Sequence, residues 1–268
     1  MLNLIRMDLY RIFHSKSFYI CLGALILCNI LTFGILIVLM NPDLRSFLLH
    51  YGAQLSTDIS KMEEALSLTT ILDVFCQGAI QGGFFSVAIG VFAALLVCTD
   101  FDSGFIKNIL SSHENKWDYI LSKISCLVLV NFLYLAGTFL TTLLLNAVSG
   151  GIFSWSRTED ILFYLFSTWM VTNGFSALTL LICIVTRSKA AGAAAAICLN
   201  GGLIVMILNA VLNLFGLQKI MEFSLYINLA SLKTAFQGTY PHRAWVTGVV
   251  FLVIYTVISK IVLYRRDI

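Results

Sequence analysis

Two groups of residues in this chain have types and spacing that could do chemistry. Thr69, Asp73, Gln77 and Gln81 recur every four positions, a period that gathers them on one face of a helix. A carboxylate between amides could receive a polar cargo or hydrogen-bond a neighbouring helix. Facing lipid at mid-membrane, Asp73 would cost about 2.5–3.5 kcal/mol, so the stripe is expected to face protein or water. Lining an outer vestibule and ordinary interhelical bonding both remain open. The second group lies in the polar interval 100–123. Asp102 or Ser103 can cap a short helix there. Phe105, Ile106, Ile109 and Leu110 would give it an apolar face, with Lys107 and Asn108 opposite. Such a face suits a groove on a partner protein, or would rest on lipid headgroups.

Other chemistries lack their residues. There is no G-x-x-x-x-G-K-S/T, so no phosphate-cradling loop is expected on this chain. His14, His50, His113 and His242 are scattered without metal-ligand spacing. Gly174-Phe175-Ser176-Ala177 has part of a nucleophile elbow but neither its second glycine nor a strand before it. The seven cysteines form no C-x-x-C pair and fall in or beside apolar runs, where free thiols act as small hydrophobes. No catalytic, metal or cofactor site is expected, and the chain reads as no enzyme.

The elements that position both groups are membrane helices. The chain is 59% hydrophobic and 12% charged, with a mean hydropathy of +0.91, far from an ordinary soluble domain. Apolar runs at 18–40, 74–99, 124–148, 161–186 and 190–215 lack any Lys, Arg, Asp or Glu. Each has about the 20 residues needed to cross hydrocarbon. A sixth, 244–264, carries only Lys260, whose amine can snorkel to the headgroups. Backbone polar groups in lipid must bond within the segment. The expected fold is therefore all-α: one polytopic domain of six transmembrane helices.

Residues 1–17 read as an amphipathic interfacial helix, with Leu2, Ile5, Leu9, Ile12 and Phe13 on one stripe and Asn3, Arg6 and Asp8 turned elsewhere. The interval 219–243 is too apolar for a free loop and reads as a short interfacial or re-entrant helix on the outer face. Small residues cluster at Gly78-Ala79-Ile80-Gln81-Gly82-Gly83, at 190–196 and at Gly201-Gly202. They permit close helix approach, within one chain or between two. No acid–base pair is expected in mid-membrane, which argues against a self-sufficient ion-coupled pump.

Six spans put both termini on one side. That side would hold Arg6, Arg11, Lys16, Lys107, Lys116, Lys123, Arg187, Lys189, Lys260, Arg265 and Arg266. Arg45, Lys61, Arg157, Lys219, Lys233 and Arg243 would lie opposite. The richer side is expected to be cytoplasmic by the positive-inside rule.

The interval 100–123 resembles the first cytoplasmic loop of ABC-2 type permeases, the membrane subunits of bacterial ABC exporters. The matching residues are Asp100, Asp102, Ser103-Gly104, Ile106-Lys107-Asn108-Ile109-Leu110, Tyr119-Ile120-Leu121 and Ser122-Lys123. Phe105 stands where the family usually has threonine. The basic amphipathic start, six spans and partly apolar outer segment extend the resemblance along the chain. It implies that Gly104, Phe105, Ile106, Lys107, Ile109 and Leu110 form a coupling helix seated on a separate ABC ATPase subunit. It also implies a second permease chain, identical or related. ATP binding would close the ATPases, move the coupling helices and open the path, for which Thr69, Asp73, Gln77 and Gln81 are candidates. Membrane lipid is an expected partner and nucleic acid is not.

The expected function is export across the bacterial cell membrane of antimicrobial or amphipathic peptides or drugs. Ion, lipid or polysaccharide export stays open within the same family. The alternatives from other classes are a non-transporting scaffold or sensor and an intramembrane enzyme using Ser176.

Overall fold

The computed structural model describes residues 2–41, 68–106, 116–236, 238 and 240–265. Among them there is no strand, only an isolated bridge between Thr70 and Ser154. The first helix, α1 (Leu2–Phe13), ends at Ser15. The Ser15 hydroxyl donates to the Ile12 carbonyl and accepts from the Phe18 amide, which caps α2 (Lys16–Met40). Next come a single-turn helix, α3 (Ile71–Phe75), and a π turn (Cys76–Ile80). The apolar helix α4 (Phe84–Asp102) follows. Next are α5 (Lys116–Val148) and α6 (Thr158–Thr186). Helix α7 (Lys189–Ala195) runs into a second π turn (Ala196–Asn200) and then α8 (Leu203–Leu214). A 3-10 turn (Gln218–Phe223) and α9 (Leu225–Ala230) lead to the last helix, α10 (Arg243–Arg265).

Five of these helices are long and apolar enough to cross a bilayer, and the bent α7–α8 pair, counted as one span, gives a sixth. The protein is an all-α polytopic membrane protein. Helix α6 is its axis: 67% of its most apolar stretch is buried, against 22% for α2. A helix apolar all round belongs either in a core or in lipid, and these two divide the roles. Beyond Asp160 in its first turn, α6 carries hydroxyls and an amide on its buried face. Asn131 of α5 donates to Asn173 (2.8 Å) and Ser176 (2.9 Å). Ser176 thus accepts a hydrogen bond in a helix–helix contact.

Two spans differ from the sequence expectation. The run 74–99 is broken, because the chain unwinds at Gln81-Gly82-Gly83 before α4 begins. The run 190–215 bends by 47° at Gly201-Gly202. Both breaks have a similar build, a five-residue π turn followed by two glycines (after Gln81 in the first, directly in the second), of which the second glycine starts the next helix with positive φ (75° at Gly83, 83° at Gly202). Residues with a Cβ rarely adopt that conformation. Hydropathy could not register the breaks, since glycine among Phe, Val and Ala leaves the average apolar.

The breaks also pack against each other. A Cβ on Gly83 would stand 3.2 Å from the Asn200 carbonyl. The Ser86 hydroxyl donates to the carbonyls of Gly83 and Asn200 (both 2.8 Å), and the Asn200 amide donates back to the Ser86 carbonyl (3.1 Å). The unwound carbonyls thus find partners inside the protein, as lipid requires. The other small residues serve packing within the chain. Gly78 lies on Asn29 and Thr32 of α2, and Gly192 on Cys183 and Ala94.

Candidate functional site

The sequence-predicted groups lie at the two ends of the bundle. At the end beside the termini, α4 closes with Asp100 and α5 opens with Tyr119, Ser122 and Lys123, so the interval 100–123 is bracketed by charge. Helix α1 lies against the start of α5. The Lys123 ammonium, with no solvent exposure, is 2.6 Å from the Asp100 carboxylate and 2.7 Å from that of Asp8. Asp100 also takes the Arg11 guanidinium at 2.9 Å and the Tyr119 hydroxyl at 3.3 Å. Ser122 donates to Asp8 at 2.9 Å. Two acids and two bases leave the cluster neutral, and every carboxylate has at least two donors, which makes burying it tolerable.

Sequence reasoning turned Asp8 away from the apolar stripe of α1, toward water. The structure corrects this: Asp8 is only 2% exposed. Leu4, Asp8 and Ile12 are the buried residues of α1, spaced four apart on one helix face. That row, with Arg11 one turn beyond Asp8, is the signal that could have found the cluster.

The interval itself leaves α4 through Ser103 and Gly104 (φ 66°). Phe105 lies under the Arg11 guanidinium, 4.8 Å from its ring centre. Ile106 is 1% exposed and sits in the chain's own core. The expectation that Ile106 joins an outward docking face is therefore corrected; it anchors the loop root from within. Lys107, Ile109 and Leu110 lie outside the described residues. The exposed pair of Lys189 and Asp102 (2.9 Å) flanks the root.

At the opposite end, Thr69, Asp73, Gln77 and Gln81 do not share one helix face, because the chain passes from coil through α3 and the π turn to the break. Asp73, Gln77 and Gln81 nevertheless line one cavity of about 410 Å³, with Leu232, Lys233, Thr234 and Ala235 opposite. Thr69 is not among its lining residues. The Asp73 carboxylate accepts from the Thr70 amide (2.8 Å) and hydroxyl (2.7 Å), a capping box, and from the Thr234 hydroxyl. Asp73 thus ties the segment after α9 over the polar wall, while Gln77 and Gln81 stay exposed. Thr234→Val removes that tie. Hydrogen exchange read by mass spectrometry should speed up several-fold across residues 231–236 and stay unchanged in α5 and α6.

Among the described residues no group of three or more His, Cys, Asp or Glu could hold a metal ion. The described cysteines are all free thiols.

Comparison with known proteins returns one family. Residues 4–200 match the family described as ABC-2 family transporter protein. No curated protein matches the chain.

Proposed function

The chain belongs to the ABC-2 transporter family, and from that premise we propose that it is the permease of an ATP-driven exporter, energised by a separate ATPase subunit through the interval 100–123. It hydrolyses no ATP itself. The observation that carries this reading is the neutral four-charge cluster at the loop root. A lever transmits force only if its base is stiffer than its arm. Here Asp100 before the loop and Lys123 after it are bonded to each other, and both reach α1 through Arg11 and Asp8. A push on the loop by a partner closing on ATP would therefore move α1, α4 and α5 together.

The paired breaks supply the compliance at the other end. Gly83 and Gly202 divide two spans at points where they touch, so the outer halves can rearrange while the inner halves follow the lever. The outer cavity, with Gln77, Gln81 and Lys233 on its walls, is the exit side of the path. Mild amides and hydroxyls along the central helix, without charge beyond its first turn, favour amphipathic peptides or drugs as cargo. A second permease chain completes the path. Helix α8, which buries none of its residues, leaves an apolar surface for it. The excess of basic residues beside the termini supports their cytoplasmic placement in the bacterial cell membrane.

Crosslinking from the loop tests this. Ile106→Asp would not serve, because it buries a carboxylate in the core and damages the fold whatever the partner. Ser103 is exposed beside the loop. A photo-crosslinking residue there should trap, in native membranes, a protein carrying a phosphate-binding G-x-x-x-x-G-K-S/T loop. Efficient crosslinking that yields only lipid or copies of this chain would refute the coupling.

A further inference from the structure

The ends of α5 and α10 that lie beside the termini carry a basic, aromatic cluster that the transport reading does not use. The Lys260 ammonium sits 4.3 Å from the Trp117 ring centre and 5.5 Å from that of Tyr264. The Lys116 ammonium is 5.4 Å from the same Tyr264 ring. It also donates to the Leu263 carbonyl at 3.0 Å, in the last described turn of α10. Arg265 follows in the same turn. Two ammonium groups thus converge on one phenol. Neither Lys116 nor Lys260 forms an ion pair with another described residue. Among the described residues the two like charges meet without a paired acid, an arrangement that suits an anion, and each ammonium carries three N–H donors, one of which Lys116 gives to Leu263.

What lies beneath the cluster identifies the anion. Val253, Val257 and Ile261 form a row four residues apart on α10, exposed by 56%, 40% and 45%. In a helix that crosses the bilayer, such a row faces acyl chains. It ends at Lys260 and Tyr264, the level where hydrocarbon gives way to headgroups and where Trp, Tyr and snorkelled lysine collect. An acyl chain lying along this row would bring its phosphate to the two ammonium groups. We propose that Lys116, Trp117, Lys260, Tyr264 and Arg265 form a seat for the phosphodiester headgroup of an anionic phospholipid. The lysines pair with the phosphate, and the indole and phenol border its glycerol. Basic pockets between membrane helices bind anionic headgroups by this chemistry. The seat pins α10 to the start of α5 and requires only that the chain crosses a membrane, so it stands apart from the transport reading.

The test uses the full chain in nanodiscs of equal parts dioleoyl phosphatidylglycerol and dioleoyl phosphatidylcholine, with lipid retained after extraction counted by native mass spectrometry. Wild type should hold phosphatidylglycerol several-fold above the bulk ratio. Lys116→Gln/Lys260→Gln should fall to the bulk ratio, and Lys116→Arg/Lys260→Arg should keep the enrichment. Inorganic phosphate should not displace the lipid. No enrichment in wild type, or full enrichment in the glutamine protein, overturns the seat. Displacement by phosphate alone overturns it in favour of a free-anion site. Unchanged lipid with lost association of an ATPase overturns it in favour of a protein contact. If the double variant does not fold, Lys260→Gln alone is read in the same way.

Discussion

Replacing Lys123 by methionine will cost most of the folding margin of this protein. The side chain is fully buried, and its ammonium lies 2.7 Å from Asp8 and 2.6 Å from Asp100. Methionine matches its length but leaves two buried carboxylates to Arg11, which is itself 32% exposed and 3.8 Å from Asp8. Removing one partner of a buried ion pair costs about 3–5 kcal/mol, against a total stability on the order of 5–15 kcal/mol. The variant should give little monodisperse protein in detergent, with a thermal midpoint far below wild type. Lys123→Met/Asp100→Asn should recover much of the loss, because the second change removes the uncompensated charge. The difference is a coupling free energy, for contacting residues about 0.5–3 kcal/mol. Additive losses in the double variant would mean that Lys123 matters for its bulk, not its charge.

The second large effect is expected at Gly248. There α10 crosses α6 backbone to backbone: a Cβ on Gly248 would stand 2.5 Å from the Met170 carbonyl oxygen and 2.7 Å from the Val171 nitrogen. From the other side, a Cβ on Gly174 would be 3.2 Å from the Gly248 carbonyl. These are helix backbones, which no rotamer change can clear. Overpacking a close contact costs about 1–3 kcal/mol, and here the whole α6–α10 contact must open. Alanine gains about 0.5–1 kcal/mol over glycine within a helix. If propensity ruled, Gly248→Ala would stabilise the protein. The geometry predicts the opposite, with Gly248→Leu worse than Gly248→Ala by yield and thermal midpoint. Gly23 and Gly34 on α2 have nothing within 4 Å, so alanine at either should be neutral or stabilising. That contrast separates packing from propensity.

The spans were legible because lipid imposes a simple rule: about 20 apolar residues without charge make a helix. The rule is blind to what glycine does within an apolar run. Gln81-Gly82-Gly83 and Asn200-Gly201-Gly202 share an amide followed by two glycines, and both mark a break. Read singly, each passes for a small-residue packing face. Their significance lies in the repetition and in their meeting, and the meeting exists only in three dimensions. The inner site was half legible. Asp100 and Lys123 stood out as the two ends of a recognisable loop, but the bond from Lys123 to Asp8 spans more than a hundred residues of chain. A charge inside an amphipathic helix is ordinarily assigned to water. Asp8 goes the other way because Lys123 waits on the buried side. The four-residue period placed Thr69, Asp73, Gln77 and Gln81 on one helix face, which the structure does not have. A cavity, not a helix face, gathers Asp73, Gln77 and Gln81.

Flux in vesicles tests most directly whether the energy for transport enters from outside this chain. The purified protein would be reconstituted alone, and in parallel with the ATPase trapped from Ser103, with ATP on the loop side and a fluorescent cationic amphipathic peptide as probe. The account predicts uphill movement of the peptide only when chain, ATPase and ATP are together, with loss of that movement when Asp100 and Lys123 are exchanged for Asn and Met. Uphill movement by the chain alone, or undiminished movement after that exchange, would contradict it.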